Sequence, residues 1–371
     1  MANPTSFQRR LEKLRKLLAK QPFDTFLVSE QWNRAYLSGF WAEDMQLTES
    51  SGFLFITEKA QVLATDFRYQ EQAEKEASGF QVVIYSESLG NALPEIFHSL
   101  GTRNLGFENH HLTYERFVKI REALQQQEQK GELIPAGELV EGLRTVKELE
   151  EIQAIRNSLA LTESVLETIL SEAKVGRTEK EMAWRIEQLM REAGAQAVSF
   201  PPIVASGPSA AMPHAVVSDR KLQESETIII DLGARLAHYC SDMTRTVILG
   251  EPDAKTRQIY AIVREAQLRA MSAVRAGISS SEVDQVARQH IAAEGFAENF
   301  GHGLGHGVGL AVHEKPGFGK KSAMVLQENM VVTIEPGIYV PGWGGVRLEN
   351  MVRVTDDGCE NLNHKDLFYS F

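Results

Sequence analysis

Gly301-His302-Gly303-Leu304-Gly305-His306-Gly307-Val308-Gly309-Leu310, then Val312-His313-Glu314, Val331-Val332-Thr333-Ile334-Glu335-Pro336-Gly337 and Gly345-Val346-Arg347-Leu348-Glu349, is the stretch on which the fold turns. It has an upstream counterpart, Ile228-Ile229-Ile230-Asp231-Leu232-Gly233 followed by Ser241-Asp242-Met243-Thr244-Arg245-Thr246-Val247-Ile248. In each, a β-branched run ends on an acid, a spacer and a glycine. A second acid follows 11 residues on (Asp231 to Asp242) or 14 (Glu335 to Glu349), beside another apolar run. If the runs are adjacent antiparallel strands, alternation of side chains can aim both acids of a pair at one face. Two such hairpins gather four carboxylates. Carboxylates that close cannot all ionise without cations, so a two-metal site with His306 as nitrogen ligand is the simplest physical reading. A mostly carboxylate shell with one imidazole suits Mn, Fe, Co or Zn better than a thiolate-seeking metal. A single Asp at a strand end is more often a turn or edge charge; the weight lies in the combination.

The set Asp231, Asp242, His306, Glu335 and Glu349, in this order and spacing, resembles the pita-bread metallopeptidases, the group that includes methionine aminopeptidase, aminopeptidase P, prolidase and the metal-free creatinase. His214 lies 17 residues before Asp231, His302 four before His306, His313 seven after it, and Arg347 two before Glu349; these look like the proline-specific branch. All five metal positions are filled, unlike in the metal-free members. The resemblance implies two divalent metal ions per chain, Mn, Co or Zn with Mn preferred. It implies that Asp231 chelates one metal, that His306 and Glu335 complete single-metal positions, and that Asp242 and Glu349 bridge. Glu335 is also expected to relay a proton to the leaving amine. His313 and His214 are the candidate donors to the developing oxyanion. His302 and Arg347 look like substrate-positioning groups, Arg347 by offering a rigid fork to a carboxylate or to a neighbouring acid of the cluster. Each has a bland alternative: His214 could cap a turn, His302 could shape the glycine-rich loop, and Arg347 could only neutralise the acids. The glycines from Gly301 to Gly309 lack the Lys and Ser/Thr of a phosphate-binding loop and are read as letting the backbone pass close to the metals.

The chain of 371 residues exceeds what one core usually fills, and 43% hydrophobic with 24% charged residues is ordinary for a globular protein. A net charge of -11 argues against nucleic acid or an anionic membrane as the main partner. The stretch Met1 to Lys20 has basic residues among spaced leucines and no uninterrupted apolar core, and no later run reaches membrane-spanning length. Cys240 and Cys359 have no metal or redox spacing, so a cytoplasmic protein is expected.

Phe7, Leu11, Leu14, Leu17 and Leu18 recur at helical spacing, giving an amphipathic opening helix with a solvated basic face. Short β-type runs alternate with helical stretches up to about residue 140, which reads as an α/β domain. Its segment Asn33-Arg34-Ala35-Tyr36-Leu37-Ser38-Gly39-Phe40 resembles the creatinase-type N-terminal domain. Beyond it, helix, helix, strand, strand occurs twice, with one helix capped by Thr178 and Glu181 and another capped near Ser281. The expected architecture is therefore a creatinase-type N-terminal α/β domain over residues 1–140. An α+β pita-bread catalytic domain over 141–371 follows it, its two helix-helix-strand-strand pseudo-repeats holding the dinuclear metal site between them.

The expected reaction is hydrolysis of the bond between an N-terminal residue and proline, by an Xaa-Pro dipeptidase or aminopeptidase acting on short peptides with proline second. An amide to proline has no N–H, so a site that polarises the carbonyl does not need that donor. The alternative is a non-peptidase binding or scaffold member that retains the fold. The N-terminal domain has no chemistry of its own, and a homodimer is expected.

Overall fold

The structure is a computed structural model that describes residues 5–369, so Met1 to Pro4 of the opening basic stretch lie outside it. Two compact units emerge, Met1–Arg144 and Thr145–Phe371.

In the first unit, α1 (Ser6–Leu18), β1 (Thr25–Val28), α2 (Gln31–Ser38), β2 (Phe53–Thr57), β3 (Gln61–Asp66), α3 (Gln70–Glu76), β4 (Gln81–Tyr85), α4 (Leu89–Leu100), β5 (Leu105–Phe107), α5 (Tyr114–Gln125), β6 (Leu133–Pro135) and α6 (Leu139–Thr145) follow in order. The sheet runs β4-β3-β2-β1-β5-β6 and is mixed, with β1, β5 and β6 parallel and β2 antiparallel to both neighbours. α1 begins with a capping box, Thr5 accepting from Gln8 and Gln8 returning to Thr5. Its basic face is not simply solvated as expected. Arg10 is buried, lies 4.1 Å over the Tyr36 ring and donates to Tyr36 O at 3.1 Å, while Arg15 donates to Thr57 O at 3.0 Å. Guanidinium stems cover apolar surface while their rigid forks satisfy main-chain carbonyls, which is why an arginine-rich helix face can be buried. α4 carries an internal Pro94, and a further short helix, α6, follows β6.

The second unit contains α7 (Leu149–Glu172), α8 (Glu179–Glu192), β7 (Ala197–Val198), β8 (Ile203–Ser206), β9 (Thr227–Leu232), β10 (Ala234–Leu236), β11 (Tyr239–Cys240), β12 (Met243–Ile248), α9 (Ala254–Ala273), α10 (Ser280–Ala293), β13 (Gly305–Gly307), β14 (Glu314–Phe318), β15 (Val331–Ile334), β16 (Gly337–Val340), β17 (Gly344–Arg347), β18 (Asn350–Val354) and β19 (Cys359–Asn361). Two helices followed by antiparallel strands thus occur twice. The sheets are β12-β9-β8, β14-β13-β15-β18-β19, β11-β10-β7 and the ribbon β16-β17. α8 starts with the expected reciprocal cap between Thr178 and Glu181. The cap of α10 is Ser279 with Glu282, two residues earlier than expected, because Ser279 keeps an extended backbone while Ser280 is already helical. α9 and α10 press Ile259, Val263, Val283 and Ile291 against Val332, Ile334 and Val352, all fully buried. Each such aliphatic side chain contributes about 1.5–3 kcal/mol by leaving water, which fixes the strands that end on the acids.

Candidate metal centre

β9 and β12 pair with Asp231 opposite Thr244, so Asp231 lies inside a fully buried strand and Asp242 stands just ahead of β12. β15 and β18 pair with Ile334 opposite Asn350; Glu335 and Glu349 are the next residues outward on each. The hairpins are joined by Glu349 N–H donating to Thr244 O at 3.1 Å, and by a reciprocal pair between Thr246 Oγ1 and the Arg347 main chain at 2.9 and 3.0 Å. Buried Arg245 adds donors to Glu349 O and, at 3.0 Å, to Asn350 Oδ1.

His306 arrives on β13, its N–H donating to Thr333 Oγ1 at 3.0 Å, while Glu335 N–H reaches Leu304 O at 2.8 Å. A Cβ at Gly305 would lie 2.1 Å from Thr333 O, and one at Gly303 would lie 2.1 Å from Phe318 O. These two glycines therefore serve close approach of neighbouring strand backbones, a partner different from the metals assumed in the sequence reading.

Asp231, Asp242, His306, Glu335, Glu349, His214, His302, His313 and Arg347 all line one cavity of about 490 Å³. His306 Nδ1 is 3.1 Å from Gly307 O, which selects the tautomer with a bare Nε2, 3.5 Å from Asp242 Oδ2 and 3.4 Å from Glu335 Oε1. Burial brings its pKa down to about 4, so the ring is neutral and offers a lone pair. Asp242, His306 and Glu349 each place a ligand atom within 4.8 Å of the others. Asp242 is 4% and Glu349 1% exposed. Burial first, then Glu349 and Asp231, holds the Asp242 carboxyl well above the carboxylate range; burial, then Glu335, does the same to Glu349. Glu335 is pushed up to about 8, again chiefly by burial. Asp231 Oδ1 and Glu349 Oε1 are buried with no hydrogen-bond partner. Orphaned carboxylate oxygens, acids that ionise only at a cost and an unprotonated imidazole nitrogen fit a cationic occupant.

Arg347 is 3% exposed. Its Nη2 pairs with Asp231 Oδ2 at 2.6 Å, Nε donates to Thr244 Oγ1 at 3.1 Å, and Nη1 donates to Pro213 O and Tyr339 OH, each at 3.1 Å. Of the two roles open to its fork, a substrate carboxylate or an acid of the cluster, the observed partner is the acid. Tyr339 OH is 2.8 Å from His302 Nε2, and His302 Nδ1 is 2.7 Å from Gly303 O. With Nδ1 donating to the carbonyl, Nε2 accepts from the phenol, and burial lowers the His302 pKa to about 4. His313 and His214 are exposed at the cavity, with the His313 ring 4.4 Å from that of His306 and nearly perpendicular at 77°.

Glu314, next to His313, accepts from Ala311 N–H at 3.0 Å and pairs with buried Lys147 at 3.1 Å. Lys147→Met would remove the buried ammonium that Glu314 pairs with, and unfolding by denaturant is expected to show a loss of roughly 3–5 kcal/mol.

Several contributors escaped the sequence reading. Thr244 donates to Glu349 Oε2 at 2.8 Å, and Thr333 donates to Glu335 Oε1 at 3.3 Å. Each lies two residues from an acid, and the alternation rule could have found them. Tyr339 and the apolar wall of Phe200, Ile203, Val216 and Val217 have no local signal, since they arrive from separate elements.

The chain matches metallopeptidase family M24 over residues 153–356 and the creatinase/prolidase N-terminal domain over 10–146. It is 35% identical to the Xaa-Pro dipeptidase of Pyrococcus furiosus across 96% of this chain and 97% of that one. Among solved structures, an Xaa-Pro dipeptidase from Bacillus anthracis superposes with a TM-score of 0.91 at 37% identity, covering 97% of this chain and 98% of that chain. An X-Pro aminopeptidase from Thermotoga maritima gives 0.84 at 34%, covering 95% and 97%. With an α/β unit followed by a pita-bread unit, and relatives aligned over nearly its whole length, the chain belongs to metallopeptidase family M24.

Proposed function

We propose that this protein is an Xaa-Pro dipeptidase, hydrolysing the bond between an N-terminal residue and proline with two divalent metal ions held by Asp231, Asp242, His306, Glu335 and Glu349. The observation that carries the reading is the convergence of these five side chains in one cavity, with buried oxygens of Asp231 and Glu349 lacking any donor. The names of the Pyrococcus furiosus and Bacillus anthracis relatives support the substrate class.

Bound there, divalent cations supply Lewis acidity to the scissile carbonyl and lower the pKa of water. The protein's own groups do the rest. Glu335 relays a proton from the attacking water to the nitrogen of the leaving proline. His313 and His214, at the open side of the cavity, donate hydrogen bonds to the oxygen that gains charge. Arg347 holds Asp231 in place, and Tyr339 carries that order on to His302, which faces the substrate from the glycine-rich loop. Phe200, Ile203, Val216 and Val217 give an apolar wall suited to a pyrrolidine ring.

Manganese is the preferred metal on the strength of the carboxylate-rich shell. Neither cysteine is in a disulfide, which supports a reducing cytoplasm, and a homodimer is the proposed assembly. No helix among the described residues is long and apolar enough to cross a membrane.

The test is product analysis on Ala-Pro and Ala-Pro-Ala with added Mn, Co or Zn. Release of alanine from Ala-Pro, with the tripeptide cleaved more slowly, is the expected result. Faster cleavage of the tripeptide would make the enzyme an aminopeptidase instead, and no alanine from either would favour a binding protein built on the fold.

A further inference from the structure

We propose that Glu179 is a positioning residue of this site: its buried carboxylate clamps both ends of the loop that carries His214. The proposal rests on the assignment of His214 to the transition state.

Glu179 is the first residue of α8 and is 1% exposed. Its Oε1 accepts from Ser206 N–H and Ser206 Oγ, both at 2.8 Å. Its Oε2 accepts from Ser218 N–H at 3.1 Å and from Ser218 Oγ at 2.6 Å. Ser206 is the last residue of β8, where the chain leaves its sheet, and Ser218 is where the same excursion ends. One carboxylate thus binds two points 12 residues apart in sequence. The docking continues on the main chain. Glu179 N–H donates to Arg220 O at 3.0 Å and Lys180 N–H donates to Ser218 O at 3.1 Å. First-turn helix N–H groups have no partner within their own helix, so α8 offers them to the returning chain.

Between the clamped ends the chain has a short 3-10 turn, Gly207–Ala211, and two further main-chain bonds, Met212 to Ser209 and Ala215 to Met212, with Ala210 and Ala215 packed against Ile229 and Tyr339. Yet this excursion supplies Pro213, His214, Ala215, Val216 and Val217 to the cavity wall, and Pro213 O takes one of the Arg347 donors. His214 itself stands exposed on a loop with little regular structure, so the tolerance that a transition-state contact requires depends on fixing the loop's ends as well as on that packing. Glu179 performs that fixing from outside the cavity, because it does not line it. A buried carboxylate accepting four hydrogen bonds is stiffer than a serine-to-serine contact would be, and no neutral side chain offers the same four acceptor sites.

Glu179→Gln keeps the shape but turns one acceptor into an NH₂ facing the N–H of either Ser206 or Ser218. In the metal-loaded, full-length enzyme this variant is expected to retain its metal content by elemental analysis. Amide exchange should be faster across residues 207–217, and kcat about tenfold lower with KM within about threefold. Ser218→Ala, which removes only one of the four bonds, should move both readouts the same way by less. The decisive arm is the pairing with His214→Ala: if Glu179 acts through that ring, Glu179→Gln slows the His214→Ala enzyme by less than about twofold. A full further loss on that background, or exchange across 207–217 equal to wild type, overturns the clamp. A wild-type kcat for His214→Ala alone defeats the histidine assignment instead. The exchange data on Glu179→Gln then still decide whether the loop is held from α8.

Discussion

Replacing Asp242 with alanine should strip bound divalent metal and abolish hydrolysis together, taking the enzyme back toward an uncatalysed rate that enzymes typically exceed by at least about 10⁶-fold. Asp242 lies within 4.8 Å of ligand atoms on both His306 and Glu349, so its removal breaks up the group best placed to hold a cation. In wild type the same loss should follow chelation and be reversed by Mn, Co or Zn, with two metals per chain at saturation. Elemental analysis alongside the Ala-Pro assay checks it; full turnover by verified metal-free protein would sink the metal reading. Proton competition adds a sign. The Glu335 carboxyl is pushed up to about 8, so loading should weaken as pH falls below that value. In the metal-free protein the folded state keeps a proton there that the unfolded chain has already lost. Stability should therefore fall as pH rises from the ordinary carboxylate range through about 8.

His313→Ala and His214→Ala should each bind metal nearly as wild type does and lose kcat by about 10²-fold or more, with a much smaller change in KM. Both rings line the cavity on its exposed side, and neither belongs to the close group of Asp242, His306 and Glu349. Steady-state kinetics on fully loaded protein, with metal content measured on the same samples, separates rate loss from metal loss. Depleted metal in either variant would place that histidine among the ligands. The His313 ring lies 4.4 Å from the His306 ring, so a modest change in metal affinity on its removal is compatible with packing alone.

That Asp231, Asp242, Glu335, Glu349 and His306 line one cavity was legible because the chemistry repeats in the chain. Two β-branched runs each end on an acid, and each is followed by a second acid beside a strand. Strand alternation and the cost of buried charge then make convergence on cations the natural outcome. The helix start at Thr178 was legible for the same reason, since reciprocal capping is a contact between residues three apart, while the cap of α10 fell two residues before the one expected near Ser281. Contacts between distant segments were not. That Arg347 turns its fork on Asp231, that Tyr339 joins Arg347 to His302, and that Gly305 yields to the carbonyl of Thr333 all depend on how β13, β15, β16 and β17 pack. Glu179 reads in sequence as an ordinary acid in the first turn of a helix. Only the fold brings Ser206 and Ser218 to it, 27 and 39 residues away. Local interactions and alternation are written at short spacing along the chain. The choice of partner for a buried polar group is made by packing, which alone decides which donors and acceptors are left within reach once the strands have met.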